Sequence, residues 1–134
     1  MNATHQRIIE AIDTAPLNRG LKGADWLASP GNIPITFDNG DVALFDNEGD
    51  GTYQVHFLFL CRGAKAIDHA REAFKIMFTK HDARLIMGLV PDFRRDVKLL
   101  ARWAGGKSAG MRPTRNGPCE LFVLSKFMWK VANQ

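Results

Sequence analysis

The spacing of apolar positions along the chain changes twice, and the changes separate helical from extended stretches. Near the start, Ile8, Ile9, Ala11 and Ile12 form one helical stripe, and a second short helical segment ends at Trp26 and Leu27. Pro30 and Gly31 in ASPGN stop it, because neither continues a helix well. The stretches NIPITF, DVALF and TYQVHFLFLC are then rich in β-branched and aromatic residues, and DNGD and DNEGDG between them supply turn chemistry. Three antiparallel strands follow from this pattern.

The third of these stretches carries the most information. From Val55 to Cys61 every position is apolar except His56, as in a central strand covered on both faces. Arg62 and Gly63 then lead straight into a helix marked by Ala66, Ile67, Ala70, Ala73, Phe74 and Met77. ARLIMGLV reads as a second buried strand, and Pro91 with Asp92 is expected to open another helix. In that helix Val97, Leu99, Leu100 and Trp103 alternate with Arg94, Arg95, Lys98 and Arg102. A strand-helix-strand crossover of this length joins parallel strands, so the sheet is mixed, mostly antiparallel with one parallel β-α-β pair. Segments around Gly110–Arg115 and Glu120–Ser125 complete it as a hairpin across RNGP.

Composition sets the class. A chain of 134 residues with 46% hydrophobic and 24% charged residues is expected to form one globular domain spanning 1–134. Its N-terminal helices fall at about 4–28 and its main core at about 33–129. No apolar run approaches the ~20 residues of a membrane span, and the opening residues carry charge where a signal peptide is apolar, so a cytoplasmic location is expected. Cys61 and Cys119 belong to no CxxC pair or disulfide framework. The formal net charge of +4 suits an anionic partner, whether nucleic acid, acidic protein or phosphorylated cofactor.

The strand VHFLFL, the turn RGAKA with its helix, the strand RLIMGLVP, the helix DFRRDVKLLARWAGG and the closing strand ELFVLSK, in that order, resemble the GCN5-related N-acetyltransferases. The resemblance spans about 33–129, and VHFLFLCRGAKAIDHAREAFKIMF looks like the short phage-encoded branch. It implies helices on both faces of the sheet and acetyl-coenzyme A, or another acyl-coenzyme A, as cofactor. Phe59, Leu60 and Cys61 would take the pantetheine arm, and Arg62, Gly63, Ala64, Lys65 and Ala66 would surround the pyrophosphate. A helix N-terminus after a glycine turn offers free N–H groups and a positive dipole end, which suit that anion. The implied activity is acetylation of a primary amine on a small molecule or protein. The implied alternative is a catalytically idle phage protein that binds other phage or host proteins, in a virion head or as a host inhibitor.

The sequence departs from the family pattern at four places. Only Gly63 remains of the loop's glycines, Phe93 stands where an asparagine is usual, Ala101 where the acid tyrosine is usual, and Gly105-Gly106 where Gly-Phe is usual. His56 is then the candidate general base or water-orienting residue, since imidazole titrates near neutral pH. The commoner role for such a residue is a hydrogen-bonded core histidine. His69 and His81 read as structural or surface residues, and Cys61 as a buried strand-end thiol more readily than as a nucleophile beside Arg62. No zinc site is expected, because Cys61, Cys119, His5, His56, His69 and His81 form no closely spaced pairs. Asp46, Glu48 and Asp50 read as a solvated turn, without the closing glutamate of a calcium loop. The basic stripe Arg94, Arg95, Lys98 and Arg102, continued by Lys107, Arg112 and Arg115, fits the polar side of an amphipathic helix more simply than a nucleic-acid footprint.

Overall fold

In the computed structural model, which describes residues 3–15, 21–115 and 117–133, the stripe Ile8 and Ile12 is the buried side of α1 (Ala3–Asp13). Helix α2 (Gly23–Ala28) buries Trp26 beside it, and both cover one face of a six-stranded sheet through Val42 and Leu44. The meander is β1 (Ile33–Thr36), β2 (Val42–Gly49) and β3 (Thr52–Leu58), antiparallel throughout. Strand β2 runs on to Gly49, past the expected turn at Asp46. Asp50 (φ 53°) and Gly51 (φ 75°) alone reverse the chain, both in the left-handed conformation that two-residue hairpin turns require.

After β3, helix α3 (Ala64–Lys80) lays Ala66, Ala70, Ala73, Phe74, Met77 and Phe78 on the opposite face. Strand β4 (Leu85–Pro91) returns parallel to β3. Helix α4 (Arg95–Trp103), strands β5 (Lys107–Thr114) and β6 (Gly117–Ser125) and helix α5 (Lys126–Ala132) complete the chain, with strand order β1-β2-β3-β4-β6-β5. The Ser125 side chain caps α5 by accepting from the Met128 N–H at 3.1 Å. Trp129 of α5 stacks on Phe78 with centroids 5.3 Å apart, so α5 lies with α3 and the Leu100 edge of α4 on one face. The mixed sheet with one parallel pair and helices on both faces agrees with the sequence expectation.

Two expectations change. Helix α4 begins at Arg95, because Pro91 is the last residue of β4, paired with Cys119. The Asp92 N–H turns to Pro118 O across β6, so the alternation of a strand points the Pro91 nitrogen the other way, where no strand needs its missing N–H. Helix α4 also buries none of its residues fully: Leu99 and Trp103 are exposed and only its Leu100 side meets the core. The Arg71 guanidinium ties down its end by donating twice to the Trp103 carbonyl.

The two N-terminal helices meet at a glycine. A Cβ on Gly23 would lie 2.7 Å from the Ile9 Cα and carbonyl oxygen, and the Gly23 N–H donates to Asp13 Oδ1 at 2.8 Å. Gly23→Ala is expected to lower stability by about 1–3 kcal/mol, although alanine is the better helix former in isolation. Urea unfolding of the two chains checks it; unchanged or higher stability would mean that α1 and α2 do not touch there.

Candidate functional site

Strands β3 and β4 share only three ladder positions, Thr52↔Leu85, Tyr53↔Ile86 and Gln54↔Met87. Beyond these they part. Val55–Leu58 keep their pairing with β2 and Gly88–Pro91 keep theirs with β6, so a gap opens in the middle of the sheet. The same alternation that turns Asp92 toward β6 turns the Leu89 N–H and C=O into this gap. A cavity of about 580 Å³ passes through it, reaching Trp26, Leu44 and Asp46 on one face of the sheet and Phe74, Val97 and Ala101 on the other.

His56 projects from β3 into this cavity, on the face covered by α1 and α2. Its Nε2 lies 2.9 Å from Asp46 Oδ2, and its side chain is 44% exposed. Asp46 also accepts from Trp26 Nε1. Burial alone would raise the Asp46 carboxyl, but the hydrogen bonds from His56 and Trp26 outweigh it and hold the group below its ordinary value. Asp46 is therefore a charged partner that orients the imidazole. The sequence reading missed Asp46 by placing it in a turn. Its signal was the alternation Val42, Leu44, Asp46, which puts all three on one face of β2, diagonally across from His56.

The other expected site residues follow β3, which stops at Leu58 and not at Cys61. Phe59 packs inward against Phe37, Phe57 and the His69 ring. Leu60 is 74% exposed. Cys61 turns away from the cavity toward Asp41 and His69. The physical reason for the early end is Asp41, fully buried at the start of β2, whose Oδ1 accepts the N–H groups of both Leu60 and Cys61 and draws them out of the sheet. Burial raises the Cys61 thiol, and the Asp41 carboxylate raises it further, so this cysteine keeps its proton.

Arg62, Gly63, Ala64 and Lys65 are exposed, and Ala66 is the first buried residue of α3. Gly63 has φ 66°, and a Cβ there would meet nothing within 4 Å. It is the N-cap of a 17-residue helix, without a side-chain cap and without an acidic residue in the first turn. The first N–H groups of α3 therefore have no side-chain cap at the positive end of a helix dipole. Arg62 leans toward Asp96 of α4 at 3.9 Å.

Phe93, Arg94, Ala101 and Gly106 line the α4 side of the cavity, whereas Gly63 and Gly105 do not reach it. Tyr53, the chain's single tyrosine, packs in the core on the α3 side and takes no place there. Three cations of the basic stripe are paired within the protein: Lys98 with Asp92 and Glu120, Arg102 with Glu120, and Arg94 with Asp96.

No protein-family model and no curated protein matches this sequence. Solved structures do match its fold. The aminoglycoside acetyltransferase AAC(6')-Ib in complex with acetyl-coenzyme A superposes with a TM-score of 0.66 at 16% identity, over 81% of this chain and 72% of that one. The same enzyme with coenzyme A and kanamycin gives 0.63 at 17% identity, over 81% and 74%. A spermidine N-acetyltransferase chimera of Vibrio cholerae SpeG and hSSAT gives 0.59 at 11% identity, over 74% and 68%. The mixed six-stranded sheet, its one parallel pair and its flanking helices are thus the fold of these acetyltransferases.

Proposed function

We propose that this protein is an acyl-coenzyme A dependent N-acyltransferase, with acetyl-coenzyme A as cofactor and a primary amine as acceptor. The observation that carries the reading is the parting of β3 and β4, followed along the chain by the uncapped start of α3. A thioester arm fits between two strands that no longer pair, and a pyrophosphate fits the free N–H groups of Ala64, Lys65 and Ala66, with Arg62 and Lys65 adding charge. On this reading Phe59, Leu60 and Cys61 form the turn that delivers the loop to the phosphates, and the arm lies along Val55–Leu58 and Leu89. Acetyltransferases of this fold are solved with acetyl-coenzyme A or coenzyme A bound, which supports the same assignment.

The cavity opens on both faces of the sheet, so the acceptor enters from the α1 and α2 side while the cofactor lies on the α3 and α4 side. Cofactor and amine then meet in one ternary complex, where orientation supplies most of the rate. Nε2 of His56 donates to Asp46, which leaves the Nδ1 lone pair to take a proton from the amine, directly or through water. The amine nitrogen bonds to the thioester carbon as the carbon–sulfur bond breaks. A backbone N–H in the gap, that of Leu89, polarises the carbonyl oxygen. The coenzyme A thiolate leaves without a protein acid, as a thiol of ordinary acidity permits. A second reading, a catalytically idle phage component that binds or assembles, is favoured by Phe93 and Ala101 standing in the cavity wall in place of polar groups.

Calorimetric titration with acetyl-coenzyme A is expected to saturate at one site and to vanish in Gly63→Glu, which sets a carboxylate in the phosphate position. Absence of heat at millimolar cofactor would overturn the reading. Binding without turnover against a panel of primary amines would favour the idle one.

For His56→Ala, kcat is expected to fall by about 10²–10⁴-fold while cofactor affinity stays within error. Stability tests its partner. Because the folded state holds the Asp46 carboxyl below its usual value, its contribution is complete above the unfolded value of 3.8 and is lost as pH falls below it. Asp46→Asn should therefore cost roughly 0.5–1 kcal/mol at pH 7, in keeping with a half-exposed pair, and the gap to the parent should narrow below about pH 4. Unfolding curves across pH 3–8 give the answer, and a gap independent of pH would sink the assignment of a charged Asp46.

A further inference from the structure

Three metal-ligating side chains outside the cavity converge on one point. Asp41 Oδ2 lies 2.8 Å from His69 Nδ1 and 2.5 Å from Cys61 Sγ, and Cys61 Sγ lies 3.8 Å from the same His69 nitrogen. All three ligand atoms fall within 4.8 Å of one another. We propose that Asp41, Cys61 and His69 form a divalent-cation site, best suited to Zn²⁺, that fastens the β3–α3 turn to the start of β2.

The arrangement does not suit a nucleophilic triad. A cysteine–histidine–aspartate relay needs an imidazole with one nitrogen on the thiol and the other on the carboxylate, whereas here the single atom Nδ1 faces both. Convergence of one oxygen, one sulfur and one nitrogen is instead the pattern of ligands around a shared ion. Zn–S of about 2.3 Å and Zn–N of about 2.0 Å set a tetrahedral edge of roughly 3.5 Å, close to the Cys61–His69 separation. The Asp41 Oδ2–Cys61 Sγ separation of 2.5 Å is shorter than such an edge and would lengthen by about 1 Å on binding.

The supporting contacts already aim the ligands. The Leu60 and Cys61 N–H groups hold Asp41 Oδ1, so Oδ2 is the oxygen turned to the cluster. Phe37 stacks on the His69 ring with centroids 4.1 Å apart and planes 8° from parallel, which fixes its orientation. Phe59 meets the ring edge-on at 6.0 Å. Such contacts are how proteins position first ligands. Charge also closes: binding Zn²⁺ displaces the Cys61 thiol proton, and one carboxylate with one thiolate neutralises the ion. A mixed thiolate, imidazole and carboxylate set favours zinc over magnesium or calcium, which prefer all-oxygen shells. A cleft of about 350 Å³, lined by His69, Asn39 and Lys65, borders the cluster on the His69 side.

Cobalt substitution tests this directly in the 134-residue chain. One equivalent of Co²⁺ is expected to produce visible bands of a four-coordinate centre together with a near-ultraviolet sulfur-to-cobalt band. Cys61→Ala should abolish the near-ultraviolet band and His69→Gln should shift the visible ones, while Cys119→Ala keeps both. A second measurement needs no variant: after chelator treatment, equimolar Zn²⁺ should raise the Tm by at least about 5 °C, whereas Mg²⁺ should not. No band with cobalt, a band that survives Cys61→Ala, or a Tm indifferent to Zn²⁺ would each overturn the proposal.

Discussion

The structure depends on two parallel strands that are neighbours for three residues and then are not. Leaving a ladder unmade in the middle of a sheet is ordinarily costly, since each unpaired backbone group must find another partner. Here the cost is confined to one side of each strand. β3 stays paired with β2 out to Val42↔Leu58, and β4 with β6 out to Pro91↔Cys119, so each diverging strand keeps a complete ladder on its far side. Proline at the end of β4 lowers the cost again, because it lacks one of the N–H groups that would have pointed away from β6, as that of Leu89 does. Local sequence and global topology agree on where the sheet opens.

What happens beyond the gap follows from one buried carboxylate. Asp41 reaches from the start of β2 to the amides of Leu60 and Cys61, which ends β3 and turns the chain. With the turn fastened on its inner side, Gly63 can adopt φ 66° on its outer side and start α3 without a side-chain cap. An aspartate or serine at that cap would satisfy the first N–H groups of the helix and close the position to an anion. The glycine leaves it open. The protein's positive charge supports this arrangement only locally: Arg94, Lys98 and Arg102 are engaged with Asp92, Asp96 and Glu120, whereas Lys65 and most of Arg62 stay with solvent beside the turn.

Most of the fold could be read from the sequence because the relevant signals are local. Period 3.6 marks α1 and α3, dense β-branched and aromatic runs mark the meander and β4, and RNGP marks the last hairpin. His56 was legible as the lone polar residue in an apolar run. Its partner was not, since Asp46 opens a string of turn-forming residues and only the pairing with β3 shows that Asp50 and Gly51 suffice for the reversal. Pro91 misled for a related reason: proline starts helices and ends strands equally well, and the choice depends on a neighbouring strand that is absent. The meeting of Cys61 with Asp41 and His69 was illegible in principle. The residues are 20 and 8 positions apart and come together through the turn and the helix that follows it, so no spacing rule for paired ligands could find them.

The two sites share a segment, and that constrains both. Residues 59–63 join the strand that borders the gap to the start of α3, so under the proposed acyl-coenzyme A assignment any looseness in this turn would move the thioester arm and the phosphate position relative to each other. Catalysis by orientation tolerates little of that, since a misplacement of an ångström is enough to cost much of the rate. Backbone hydrogen bonds to Asp41 fix the turn at two amides, and stacking of Phe37 and Phe59 on His69 fixes the helix side. A cation joining Asp41, Cys61 and His69 would tie strand, turn and helix at a single point. That is the connection most needed by a sheet whose central ladder is interrupted, because the sheet itself no longer holds β3 to β4 where the chemistry would occur.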